Sequence, residues 1–171
     1  MAGMITQLIE VMNEQAERHT ELYGLSLEEK DAIIQNDIET LQKLVNLKNM
    51  VISQNSRLEK KRMSLVNDIA EVMALKEKDL TLAQIIDLMA GKPEEEDLKK
   101  VGTRLRESME KLKEINDLNK SLLEGALEFV EYSLNALRSA ISPEQPDYSA
   151  IAKSKPRPAA PDESSSFDAT R

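Results

Sequence analysis

Residues 38–76 read IETLQKLVNLKNMVISQNSRLEKKRMSLVNDIAEVMALK. Within them Leu41, Leu44, Lys48, Val51, Asn55, Leu58, Arg62, Leu65, Ile69 and Val72 follow one another in alternating steps of three and four. A helix turns once every 3.6 residues, so such a series lies along one stripe. The strict alternation is the heptad rule of coiled coils. No Gly or Pro interrupts the stretch, which is therefore expected to be one long helix from Ile38 to about Lys76. Its stripe has to be hidden against other helices. Lys48, Asn55 and Arg62 break the apolar run, and polar residues at such positions weaken a simple dimer while fixing register.

Working upstream, Asn36-Asp37 separates this helix from an earlier one. Asp37 is expected to be an N-cap, its carboxylate accepting from a free backbone N–H of the next turn. The earlier helix is expected over Met4–Gln35, with a seam of Ile5, Leu8, Met12, Ala16, Leu22 and Ile33. Gly24 lies inside it and is expected to bend or loosen it. Downstream, Thr81 and Gln84 have capping-box spacing and open a short helix, Leu82–Ala90, which Gly91 and Pro93 should stop. Pro93 suits the first turn of a last helix, and Glu94, Glu95, Glu96 and Asp97 complement the positive end of its dipole. This helix runs to Ser142-Pro143, roughly 48 residues or ~70 Å at 1.5 Å per residue.

The expected fold is all-α: an elongated antiparallel helical bundle or coiled coil of three long helices plus one short helix. The first two helices are expected to fold back on each other near Asn36, with the last packing along one or both. Residues 1–142 form the helical domain, and 143–171, rich in Pro, Ser and Ala, read as a disordered tail.

Composition narrows the function. The chain has 171 residues, 3% aromatic and 32% charged, and lacks tryptophan, so Leu, Ile, Val, Met and Ala must supply the core. A net charge of −8 disfavours nucleic acid and anionic lipid. With no cysteine, thiol chemistry and disulfides are excluded. Met1 to Glu10 has no basic region followed by an apolar run, and no stretch of ~18 apolar residues exists to span a membrane. There is no Gly-rich phosphate loop, no Ser/His/Asp set and no metal motif. No enzyme activity and no cofactor are expected. His19, the sole histidine, falls on the first seam and reads as structural. Glu94 to Asp97 are consecutive, so their carboxylates fan around the helix instead of converging on a metal.

The last helix carries the functional signal. One stripe runs Leu98, Val101, Leu105, Met109, Leu112, Ile115, Asn119, Leu122, Ala126 and Phe129. From residue 123 a second begins: Leu123, Leu127, Val130, Leu134, Leu137 and Ile141. Adjacent residues sit ~100° apart, so the apolar surface there is wider than one seam requires. Either this part is the most central helix of the bundle, or the second stripe is open to a partner helix. Asn116 and Asn119 likewise fit two readings, a polar interruption that pins register or a hydrogen bond to a partner. Tyr132 lies beside the stripes, where a Tyr can bridge core and water.

The stretch from Asn116 through Asn119, Leu122, Leu123, Ala126, Leu127, Phe129 and Val130 resembles the C-terminal pattern of the FlgN family. That pattern has two Asn three apart, two Leu, then an Ala-Leu pair and an apolar or aromatic residue. Tyr132, Leu134 and Leu137 continue it. The second helix is also similar, in Asn36-Asp37-Ile38, Leu41, Leu58-Glu59 and Arg62. The likeness covers roughly residues 5–141. It implies a cytoplasmic type III secretion chaperone that binds the hook–filament junction proteins FlgK and FlgL before export and presents them to the export apparatus. It also implies that the C-terminal helix engages substrate, here through Leu122, Leu123, Ala126, Leu127, Val130, Leu134 and Leu137. The alternative is a homo-oligomeric coiled-coil scaffold whose second stripe self-associates.

Overall fold

The computed structural model describes residues 2–74 and 80–141. Among them are four helices and no strand: α1 (Ala2–Gln35), α2 (Ile38–Val72), α3 (Leu82–Leu88) and α4 (Glu94–Ile141). The chain divides into two units, Met1–Phe129 and Val130–Arg171. The expected tail, 143–171, lies outside the described residues, as does Leu75–Asp79.

The α1–α2 reversal uses two residues. Asn36 takes a left-handed φ of 54°, a conformation Asn tolerates better than most residues. Its N–H donates to Ile33 O, and the Asp37 N–H donates to Ala32 O, the paired bonds of a Schellman motif. Asp37 then caps α2, its Oδ1 accepting from Thr40 N at 3.0 Å. The second oxygen accepts from Thr40 Oγ1, and these bonds hold the Asp37 carboxyl below its usual range. One residue thus ends a helix and the next starts another, which forces the two antiparallel. Cross-pairs confirm the direction: Gln15 with Glu59, Arg18 with Gln54, and Glu29 with Lys48.

α2 ends earlier than expected. Met73 is the C-cap and Ala74 is left-handed, so the helix stops at Val72 instead of Lys76. Val72, the last seam residue, is accordingly exposed. The capping box at Thr81 forms in full, Gln84 N donating to Thr81 Oγ1 and Thr81 N to Gln84 Oε1. α3 ends at Leu88, short of Ala90. Gly91, at φ 74°, supplies the left-handed step before Pro93, and its N–H donates to Glu95 Oε2. α1 runs unbroken through Gly24; a glycine inside a helix costs only about 1 kcal/mol, which the flanking packing offsets.

α4 runs parallel to α1 and antiparallel to α2, as shown by Arg104 on Asn13, Ser108 near His19, and Asn116 on Ser26. Within Met1–Phe129 the result is an up-down-up bundle. All six expected α1 seam residues are buried. Together with Val11, Ile5, Leu8 and Met12 meet Leu65, Val66 and Ile69 of α2, Ile85 of α3 and its C-cap Met89, and Leu98 and Val101 of α4. This apolar cluster sits where α1 and α4 start and α2 finishes. α3 closes it, and Leu82 approaches α4 so closely that a Cβ on Gly102 would lie 2.6 Å from its methyl.

Candidate functional site

Moving from that core toward the Asn36 turn, polar layers are interleaved with buried apolar residues such as Leu22, Ile33, Leu44, Val51 and Ile115. The first layer pairs Gln15 of α1 with Glu59 of α2, whose carboxylate also receives Arg62. The Arg62 and Gln15 hydrogen bonds outweigh partial burial and pull Glu59 down to about 2. The second layer centres on His19. Asn55 Nδ2 lies 3.3 Å from His19 Nε2, His19 Nδ1 lies 3.3 Å from Ser108 Oγ, and Ser108 Oγ donates to Leu105 O. These contacts fit a neutral imidazole with its proton on Nδ1. Burial pushes the His19 pKa below 6.5, against an opposing pull from Glu59.

The third layer joins all three long helices. Asn119 of α4 is 3% exposed. Its Nδ2 donates to Ser26 O at 2.7 Å and to Glu29 Oε2 at 2.8 Å. The same Glu29 oxygen receives Lys48 Nζ of α2 at 2.7 Å. One turn back, Asn116 Oδ1 accepts from Ser26 Oγ.

These layers explain which α4 side chains point in. Leu98, Val101, Ile115 and Asn119 of the first stripe are buried, and Leu105, Leu112, Leu122 and Ala126 are partly covered. Met109 and Phe129 were expected on that stripe but are exposed. Ser108 takes Met109's inward place, because the facing position holds the His19 imidazole, which needs a polar neighbour.

Of the second stripe in the first unit, Leu123 is 41% and Leu127 63% exposed. In the second unit, taken by itself, every described residue from Val130 to Ile141 is exposed, including Tyr132 and the heptad-spaced Val130, Leu134, Leu137 and Ile141. Asn119 does not belong with these: it faces the interior with both amide hydrogens bonded. Asn116 is exposed, though its carbonyl is bonded to Ser26.

Reading the sequence for stripes missed a further apolar set. Val45, Leu47, Met50 and Ile52 of α2 are all exposed, and they flank the seam instead of lying on it. The signal was available as apolar residues next to seam positions, the same one that revealed the second α4 stripe.

Among the described residues no three His, Asp or Glu side chains come together as a metal site. No described helix is long and apolar enough to cross a membrane.

By fold the chain is an all-α bundle of three long helices with a short fourth. Its sequence places it more closely: it belongs to the FlgN family, described as FlgN protein, which matches residues 1–154. This is a family of flagellar export chaperones, and the chain has that general role. Comparison with curated proteins gave no significant match, and comparison with solved structures gave none either.

Proposed function

We propose that this chain is a cytoplasmic chaperone for FlgK and FlgL, which it binds before export through the apolar face of α4. The contact residues are Leu123 and Leu127 with the partly covered Leu122 and Ala126, continued by Val130, Tyr132, Leu134 and Leu137. Asn116 lies at the edge of this set. Presentation to the flagellar export apparatus follows binding. The observation that carries the reading is the exposure of Leu127 on a helix whose other stripe already meets α1. An uncovered heptad-spaced face is the surface an amphipathic helix can complete.

The energetics suit a chaperone. Covering apolar surface contributes ~25 cal/mol per Å². Ordering a substrate segment that was disordered takes back part of that gain, so binding stays releasable.

The test mixes the purified chain with FlgK or FlgL and follows the complex by size-exclusion chromatography. A heteromer is expected, and Leu127→Asp should abolish it while leaving helix content nearly intact. Collapse of the circular dichroism signal in that variant would mean that Leu127 is core, and the site assignment would fail. Tight self-association of the chain alone, undisturbed by FlgK or FlgL, would favour the scaffold reading.

A further inference from the structure

Two apolar stripes lie side by side on α4, and hydrophobicity does not choose between them. Leu122 and Ala126 form one; Leu123 and Leu127 form the other, one residue or ~100° further round. The inward stripe keeps heptad spacing from Val101 to Leu122, three heptads. A straight helix drifts ~20° per heptad against that spacing. If α4 were straight, its face at this level would be rotated by ~60°, turning Leu123 toward α1 and Leu122 away. The difference between the two arrangements is a slight distributed winding. Each buries a Leu and loses a Leu, so burial alone leaves them close in free energy.

What differs is the polar layer just before the fork. Asn119 is buried with both amide hydrogens bonded, one to the Ser26 carbonyl and one to Glu29, which Lys48 holds from α2. Rotation by ~60° would break both bonds and strand the buried Asn119 amide, while Glu29 would keep Lys48 alone. Leaving such an amide unpaired costs more than the difference between two leucines.

We infer that the Asn119–Glu29–Lys48 layer with Ser26 is a rotational lock: it fixes which α4 stripe is turned inward and thereby keeps Leu123 and Leu127 on the outside. Asn119 is a positioning residue, acting on substrate only through the face it turns outward. The consequence for binding rests on the function proposed above; the lock itself does not.

The chain has no cysteine, so single introduced thiols report the rotation cleanly. Ala126→Cys and Leu127→Cys are made separately, and their alkylation rates are compared under native conditions. With Asn119 present, the thiol at 127 should react about tenfold faster than the thiol at 126. In an Asn119→Leu background the ratio should fall toward one with helix content unchanged, the Glu29–Lys48 pair remaining to hold the carboxylate.

Glu29→Gln keeps an acceptor for Asn119 and should preserve most of the ratio. The double variant Glu29→Gln with Lys48→Met should lower it partway, and serves if Asn119→Leu does not fold. A ratio unchanged in both Asn119→Leu and the double variant overturns the lock. Loss of FlgK binding in Leu127→Asp, measured separately, tests the docking face; a lost lock with intact docking, or the reverse, can therefore be told apart.

Discussion

The two ends of the Met1–Phe129 bundle are built on different principles. One end packs Ile5, Leu8, Ile69, Ile85, Met89 and Leu98 into an apolar cluster. The other, toward the Asn36 turn, interleaves buried Leu22, Ile33, Leu44, Val51 and Ile115 with polar layers that pair Gln15 with Glu59, His19 with Asn55 and Ser108, and Asn119 with Glu29 and Lys48. Among the described residues, the buried carbonyl oxygens of Gln15, Asn55 and Asn119 lack a hydrogen-bond partner, and all three belong to the polar layers. Apolar packing is non-directional and contributes most of the free energy, whereas buried polar contacts contribute little net but demand one geometry. The difference teaches that stability and orientation are held in separate places. The end that fixes geometry is also the one nearest the exposed stripe of α4.

Substitutions should reveal this division by size. The largest loss is expected from Ile69→Ala, which opens a cavity where the side chain is 0% exposed. Chemical denaturation should show about 3–4 kcal/mol lost, a large share of the 5–15 kcal/mol typical of a domain. Glu29→Ala removes the partner of Lys48, which is 17% exposed, and should cost about 2 kcal/mol because the ammonium can still partly reach water. Equal losses from the two would erase the distinction between the ends.

A pH effect should come next. The folded pKa of His19 lies below 6.5 because burial disfavours the imidazolium. The unfolded chain therefore binds more protons between the two values, and stability rises with pH in that window. The contribution is fully present above pH 6.5 and is lost as pH falls toward the folded value. Melting temperature measured from pH 7.5 downward should show this fall, and His19→Gln should flatten it. A second, separate loss is expected at lower pH, from 4.5 down toward 2, as Glu59 takes up a proton. The smallest effect is expected from Asp37→Ala, which removes a surface cap from α2. Its melting temperature should drop by only a few degrees.

Much of the fold was legible because caps and seams are local. Asp37, the Thr81–Gln84 box and Gly91 each act within a few residues, and the α1 seam is buried as its spacing required. The departures have non-local causes. Val72 keeps the spacing but lies where α2 stops, and it is exposed. Met109 fits the stripe, yet Ser108 turns inward because His19, 89 positions away in sequence, needs a polar contact there. Asn119 illustrates the limit for the site. Its place on the seam allowed either a register role or a partner contact, and that its amide bonds Ser26 and Glu29 inside the bundle was not readable from spacing. Leu123 and Leu127 were readable as surplus apolar surface, whereas what covers Leu122 and Ala126 depends on the winding of α4.

The most direct measurement is hydrogen exchange across the chain, alone and with FlgK bound. Slowed exchange confined to α4 residues from about 122 to 137 in the complex, with the Ile5–Leu8 and Leu65–Ile69 segments already slow and unchanged, is the result this account predicts. New protection appearing only elsewhere, with 122–137 unaffected by FlgK, would contradict it.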